Sequence, residues 1–146
     1  VMSLRDGTKK MSKSEESDYS RINLKDSPEE IVKKIKKAKT DTDPIPYEIK
    51  DLENRPEALN LINIYSELKG SNLEETLIKL AGKDFSTFKP MLSEIIIETI
   101  CPIGKKIKDL LKDQTYLKAV IQKGKEKANL KAEENLKKIR EIVGLV

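Results

Sequence analysis

Histidine and tryptophan are both missing from this 146-residue chain, and cysteine occurs once, as Cys101. Without histidine, the chain has no Ser-His or Cys-His nucleophile pair and no His-ligated zinc site. A single cysteine excludes a disulfide scaffold within the chain and favours a reducing compartment, which we expect to be the cytoplasm. Any chemistry must therefore use lysine, arginine, carboxylates, hydroxyls or backbone amides.

Long apolar runs and aromatic residues are also scarce. No run approaches the roughly 18 apolar residues of a membrane-spanning helix, and the opening "VMSLRDG" lacks the pattern of a signal peptide, so we expect no membrane partner. Aromatic residues make up 4% of the chain and charged residues 37%. This composition is typical of an all-helical domain. The first residue is valine rather than methionine, which indicates a piece of something longer.

The net charge of +4 is distributed unevenly along the chain. Residues 1–40 hold 11 Lys and Arg against 7 Asp and Glu, residues 41–104 hold 6 against 12, and residues 105–146 hold 12 against 6. The basic ends are able to attract polyanions such as phosphates or RNA. An ordinary lysine-rich helix surface is the alternative explanation.

Capping signals and apolar periodicity predict five helices after a short N-terminal strand and a loop. The sequence Ser27–Glu30 is a capping box with proline at the first helical position. Further helices are expected to start at Pro56, Asn72, about Pro90 and Asp113. The last predicted helix has an apolar stripe that we expect to face inward, made of Leu117, Val120, Leu136, Ile139 and Val143.

The loop from Thr8 to Ser14, "TKKMSKS", is basic and rich in hydroxyl groups. Gly7 and the backbone N–H groups after it suit an anion, and Lys9, Lys10 and Lys13 add three positive charges. If the segment is helical, Lys10 and Lys13 lie about one turn apart, so both can reach one phosphate chain. Such a loop can position a nucleotide and neutralise charge on a leaving group. From the residues alone, a solvated loop without a ligand is the alternative.

The segment "KMSKS" from Lys10 to Ser14 is identical to the signature loop of class I aminoacyl-tRNA synthetases. Four longer stretches add to this match: "VMSLRDGTKKMSKS", "SRINLKDSPEEIVKKIKKAKTD" from Ser20, "NLINIYSELKG" from Asn60 and "PIGKKIKDLLKDQTYLKAVIQKGKEKA" from Pro102. With them, the whole chain resembles the C-terminal half of the bacterial-type tryptophanyl-tRNA synthetases, one family of that class. One departure is Glu15-Glu16, where the family often has Asp-Pro.

This resemblance implies an all-α fold. Residues 21–146 would form a helical, anticodon-binding-type domain, and residues 1–20 would be the last strand and the KMSKS loop of a truncated Rossmann domain. The family activates tryptophan with ATP, releasing pyrophosphate, and then charges tRNA(Trp). The chain lacks the family's HIGH-type motif and most of its catalytic domain, so we expect the fragment alone to be inactive. The complete enzyme is implied to be a homodimer.

The resemblance also assigns roles within the loop. Lys10 and Lys13 would be catalytic, because they would hold the pyrophosphate portion of ATP and stabilise it as it leaves. Met11 would pack beside adenine, and Val1 would contact adenine through its main chain. Mg²⁺ would enter with ATP, and no protein-bound metal is implied. The residues implied to bind ATP are Val1, Lys10, Met11, Ser12, Lys13 and Ser14.

Other interpretations stay open at this point. The chain could be a non-catalytic RNA-binding helical module, a fragment of a tyrosyl-type synthetase, or a plain helical interaction domain. The family places tRNA recognition on its C-terminal helices, so the basic residues from Lys105 to Arg140 are candidates for RNA contact, as is the lysine cluster from Lys33 to Lys39. Tyr116 is the candidate for stacking on an unpaired base, with a tyrosine at the edge of the core as its alternative.

Overall fold

A computed structural model describes residues 1–145, and its secondary structure is helical. All five predicted helices are confirmed, and helix α4 starts about five residues earlier than expected. It continues through Pro90 and Pro102. The helices are α1 (Pro28–Lys37), α2 (Pro56–Lys69), α3 (Leu73–Leu80), α4 (Phe85–Lys112) and α5 (Gln114–Val143), with 3₁₀ turns at Asp18–Ser20 and Ile49–Leu52. No helix within residues 1–145 is both long enough and apolar enough to span a membrane.

The predicted N-terminal strand does not form in the described residues. Of the four residues predicted to form it, Met2 makes one isolated antiparallel bridge, and its partner is Lys10 in the following loop. Beside this bridge, the Ser3 backbone N–H donates to the Lys9 carbonyl at 2.8 Å. One bridge pair is not a ladder, since a strand needs consecutive pairing with an extended neighbour. The expectation of a residual strand is therefore not confirmed, and within the described residues the segment is one side of a tight loop.

Side-chain caps begin three of the helices where the sequence places them. Ser27 Oγ accepts from the Glu30 backbone N–H at 3.2 Å, and Glu30 Oε2 accepts from the Ser27 backbone N–H at 2.7 Å, which completes the capping box. Asn72 caps α3, and Asp113 caps α5 by accepting from the Tyr116 N–H at 2.8 Å. Each cap satisfies a backbone donor that has no partner inside the helix.

The chain divides into two compact units, Val1–Lys105 and Lys106–Val146. The first unit contains a hydrophobic core to which α1, α2, α3 and the first half of α4 contribute. Phe88 is completely buried, and its ring lies edge-on to Tyr65 and Phe85, with centroid distances of 5.6 and 6.2 Å. Residues 1–20 belong to this same unit, and the expected domain boundary at residue 20 stays a prediction.

The described part of the second unit contains α5, and that helix buries none of its residues. The prediction of an inward-facing stripe was wrong. Val120, Leu136, Ile139 and Val143 are all exposed, and Leu117 is only half-buried. Helical periodicity records which side chains share a face, but burial also needs a second apolar surface for that face to contact. No such surface covers α5 within the described part of this unit.

Candidate functional site

The segment Thr8–Ser14, called the lysine loop below, begins at a tight turn around Asp6. The Asp6 carboxylate accepts hydrogen bonds from the Thr8 hydroxyl at 2.6 Å and the Thr8 N–H at 3.1 Å, and Lys9 Nζ lies 3.2 Å from it. These groups, the Thr8 hydroxyl above all, lower the pKa of Asp6 to about 2. Asp6 is therefore ionised at neutral pH, and Lys9 lies within ion-pair distance of it.

Gly7 brings this turn into direct contact with the start of α2. A Cβ atom added to Gly7 would lie 2.4 Å from the carbonyl carbon of Pro56 and 2.5 Å from the Glu57 nitrogen. Any side chain at this position would therefore push the turn away from the helix. The first residues of the lysine loop are positioned by backbone packing against α2.

A buried asparagine of α2 holds the segment that pairs with the loop. Asn60 Oδ1 accepts from the Met2 backbone N–H at 2.9 Å, and Asn60 Nδ2 donates to the Met2 carbonyl at 3.0 Å. Met2 in turn forms the bridge with Lys10, and the Met11 N–H donates to the Val1 carbonyl at 3.4 Å. Asn60 was not among the site residues predicted from the sequence. Its only signal is a polar residue on the buried face of α2.

The two predicted catalytic lysines carry exposed side chains that lack a counter-ion. Among the described residues, neither Lys10 nor Lys13 has a carboxylate within 4.0 Å, in contrast to Lys9. Ser12 Oγ and Ser14 Oγ lie 3.0 Å apart, and Ser12 Oγ also accepts from the Ser14 N–H at 3.3 Å. Two cations without counter-ions, next to two hydroxyls, form an arrangement that can bind a polyphosphate.

The two residues predicted to contact adenine line the same cavity. Val1 and Met11 both line an open, largely apolar cavity of about 940 Å³, together with Ile22, Leu59 and Leu68. The four remaining ATP-binding candidates lie outside this lining. The structure thus brings together the two groups expected at the base and leaves the groups expected at the phosphates on the exposed part of the loop.

The candidates for RNA contact differ in accessibility. Lys34, inside the lysine cluster of α1, is buried, and its ammonium lies 2.7 Å from Asp26 and 2.6 Å from Asp18. It is therefore not available to a polyanion. Tyr116 is 52% exposed, so its alternative as a core-edge tyrosine is not supported. The lysines of α5 are exposed.

Residues 1–100 match the protein family described as tRNA synthetases class I (W and Y). The chain belongs to this family. It is 48% identical over 146 residues to the tryptophan–tRNA ligase of Rhizobium meliloti, covering 100% of this chain and 41% of that protein. The ligase of Caulobacter vibrioides is 48% identical over 144 residues, covering 99% of this chain and 42% of the relative.

The fold of this chain is similar to that of a synthetase whose structure has been solved. The tryptophanyl-tRNA synthetase of Mycoplasma pneumoniae matches with a TM-score of 0.75 and 26% identity, covering 100% of this chain and 44% of that one. The predicted resemblance to tryptophanyl-tRNA synthetases is thus confirmed, as is the all-helical character of this chain. This synthetase-family chain spans about two fifths of the length of the relatives that it matches.

Proposed function

We propose that this chain is the C-terminal part of a tryptophan–tRNA ligase and supplies the loop that handles the phosphates of ATP. In this reaction the tryptophan carboxylate forms a bond to the α-phosphorus of ATP, and the bond from that phosphorus to the bridging oxygen breaks. Pyrophosphate leaves with the bonding electrons. A hydroxyl at the 3′ end of tRNA(Trp) then forms an ester bond with the tryptophanyl carbonyl carbon, and the bond from that carbon to the phosphate oxygen breaks, so that AMP leaves. The observation that carries the proposal is the pair Lys10 and Lys13, exposed and without counter-ions, in a chain 48% identical to such ligases.

Within the proposed site, Lys10 and Lys13 neutralise the charge that develops on pyrophosphate as the bond breaks. Met11 and the Val1 main chain lie beside adenine, and the hydroxyls of Ser12 and Ser14 donate to the phosphates. Mg²⁺ accompanies ATP and needs no dedicated protein ligand set. The complete enzyme acts as a homodimer in the cytoplasm, and residues 1–146 alone lack the tryptophan pocket and half of the ATP site.

A hybrid enzyme tests the role of the loop. This chain replaces the matching 41% of the Rhizobium meliloti ligase, and tryptophan-dependent ATP–pyrophosphate exchange is measured. We expect an active hybrid, in which Lys10→Ala and Lys13→Ala each lower kcat by roughly 100- to 1000-fold, as loss of a charge-stabilising donor does in other enzymes. Lys9→Ala is the matched control, because Asp6 already neutralises Lys9. If the folded hybrid keeps its kcat with Lys10→Ala and with Lys13→Ala, the proposed role is refuted.

The proposed inactivity of residues 1–146 has its own measurement. The purified chain is assayed for ATP–pyrophosphate exchange with and without tryptophan. We expect no tryptophan-dependent exchange, because the proposed site is completed by protein outside these residues. Turnover by the chain alone would show that this part of the proposal is wrong.

The exposed basic surface of α5 favours a second candidate function, RNA binding without catalysis. Residues 105–146 hold 12 Lys and Arg against 6 Asp and Glu. Binding of tRNA(Trp) to the chain is measured at several salt concentrations. Phosphate contacts predict that the logarithm of the association constant falls linearly with the logarithm of salt. Preference for tRNA(Trp) over other tRNAs supports the ligase, whereas equal affinity for all of them supports a general RNA-binding module.

A further inference from the structure

The far end of the lysine loop is held by an arginine. Arg21 Nη1 donates to the backbone carbonyl of Glu15 at 2.9 Å, and Glu15 directly follows Ser14. The second terminal nitrogen, Arg21 Nη2, lies 3.0 Å from Asp18 Oδ1. The Arg21 side chain is only 18% exposed. The Arg21 guanidinium group thus connects the end of the loop to the carboxylate of Asp18.

That carboxylate is itself anchored to α1 by a buried lysine. Lys34 Nζ lies 2.6 Å from Asp18 Oδ2 and 2.7 Å from Asp26 Oδ2, and the Lys34 side chain is 6% exposed. Asn23 Nδ2 donates to both carboxylates, at 3.0 and 3.1 Å. The hydrogen bond from Lys34 lowers the pKa of Asp18. Asp18 therefore stays ionised, and its position is set by an element of the core.

The charge on Lys34 is maintained by its two partners. Burial alone would lower the pKa of Lys34, but the hydrogen bonds with Asp18 and Asp26 raise it above its ordinary value of 10.5. A buried ammonium between two carboxylates is costly to displace, because both short ion pairs are then lost. Helix α1 is thereby connected through Asp18 to Arg21, and through Arg21 to the backbone of Glu15.

We propose that Arg21 is a positioning residue for the lysine loop: it holds the Glu15 carbonyl and so sets where Lys13 places its ammonium group. This inference rests on the proposed function, since it concerns the same phosphate-binding loop. The loop is held at its start by Asn60, through Met2, and at its end by Arg21. The segment between these two points contains Lys10 and Lys13. A small displacement of a charged group from its productive position weakens both binding and catalysis.

The chain contains a matched arginine that does not touch the lysine loop. Arg55 pairs with Asp41 and donates to the backbone carbonyls of Asp43 and Pro44, and its side chain is 16% exposed. Arg21 and Arg55 therefore have similar burial, and each pairs with a carboxylate and donates to a backbone carbonyl. Comparison of the two variants separates the general loss of a buried, paired arginine from the specific loss of the Glu15 contact.

Nuclear magnetic resonance on the 146-residue chain tests the proposal without any need for catalysis. Order parameters are measured for the backbone amides of residues 12–16. In Arg21→Ala we expect them to fall from about 0.8 to below about 0.6, the range of flexible backbone. In Arg55→Ala we expect them to stay as in the unmodified chain. Arg21→Lys keeps the charge but lacks the fork that holds two acceptors, so an intermediate value is expected.

Titration with inorganic pyrophosphate gives the functional measurement on the same samples. We expect the dissociation constant to rise roughly fivefold to tenfold in Arg21→Ala and to change less than twofold in Arg55→Ala. Unchanged order parameters in Arg21→Ala, or equal changes in both arginine variants, overturn the positioning role. If the unmodified chain does not bind pyrophosphate, the proposed function loses support, while the order parameters still decide the role of Arg21. If Arg21→Ala fails to fold, Arg21→Lys against Arg55→Lys decides the matter by the same measurements.

Discussion

Residues 1–105 and helix α5 carry apolar residues at the same helical spacing, yet only the first region buries them. In residues 1–105, sixteen hydrophobic side chains are buried, and in α5 none is. Leu61 of α2 is 1% exposed, whereas Ile121 of α5 is 70% exposed. An apolar stripe is thus a property of one segment, whereas a core is a property of several. Hydrophobic free energy is gained only where the second surface is present.

The two regions also differ in how their polar side chains are used. In residues 1–105, long-range polar contacts join separate elements, such as the pair Asn60–Met2 and the pair Lys34–Asp26. In α5, the side-chain hydrogen bonds are local. They run from Gln122 to Glu126, from the Tyr116 N–H to the Asp113 cap and from Gln114 to the Leu111 carbonyl. Substitutions in the first region should therefore affect cooperative unfolding, and those in α5 should act within one helix.

Phe88→Ala should give the largest effect. Phe88 is completely buried between Tyr65 and Phe85, so its removal leaves a cavity and loses two aromatic contacts. The free energy of unfolding should fall by about 3–5 kcal/mol, measured by urea denaturation. The matched substitution in the other region is Ile121→Ala, which should cost less than about 0.5 kcal/mol. An equal cost for both would mean that Ile121 is buried in solution.

Two glycine-to-alanine substitutions should change stability in opposite directions. A Cβ at Gly104 would lie 2.5 Å from the Leu24 carbonyl oxygen, whereas a Cβ at Gly124 would meet nothing within 4 Å. Gly104→Ala should destabilise residues 1–105 by about 1–3 kcal/mol, because backbone atoms must move apart. Gly124→Ala should stabilise α5 by about 0.5–1 kcal/mol through helix propensity alone. Thermal unfolding followed by circular dichroism measures both, and a loss of stability in Gly124→Ala would contradict the open environment of that residue.

These contrasts also show which features of the fold were predictable from the sequence. The start of α1 was predictable because its capping box is made of neighbours, Ser27 and Glu30. The exposure of α5 was not, since it depends on what other segments leave uncovered. The N-terminal strand was predicted from β-tolerant residues, but its pairing required a partner that this part of the chain does not provide beyond Lys10.

The candidate site divides in the same way. The lysine loop was predictable from its local sequence, because its chemistry lies in the side chains of consecutive residues. Asn60 and Arg21 were missed because they bind backbone atoms, those of Met2 and Glu15. Any residue offers the same backbone carbonyl, so the identity of the partner carries no signal. Such positioning residues become visible only when the fold brings them to the loop.

The caps of α1 and α5 allow the two regions to be compared at the level of one hydrogen bond. Ser27→Ala and Asp113→Ala each remove an N-cap acceptor and should cost about 1 kcal/mol of helix stability. Hydrogen exchange should show the loss from Ser27→Ala throughout residues 1–105, because α1 belongs to the core. The loss from Asp113→Ala should be confined to the first turns of α5. Spread of the second effect into residues 1–105 would show that the helix is coupled to the core.

The smallest predicted effect is on the stability of residues 1–105 at acid pH. Hydrogen bonds from Arg55, including one of 2.9 Å from Nε, hold the pKa of Asp41 below its ordinary value of 3.8. Because the pKa is lower in the folded state, this pair stabilises the protein fully above about pH 4, and its contribution disappears as pH falls through the lowered pKa. Asp41→Asn should therefore reduce the free energy of unfolding near pH 6 and weaken its decline as pH falls below about 4. Arg55→Ala should weaken the same decline, since the carboxylate then has lost its partner. If Asp41→Asn keeps the full acid sensitivity of the unmodified chain, other carboxylates of the region, such as Asp6 with its pKa of about 2, must account for it.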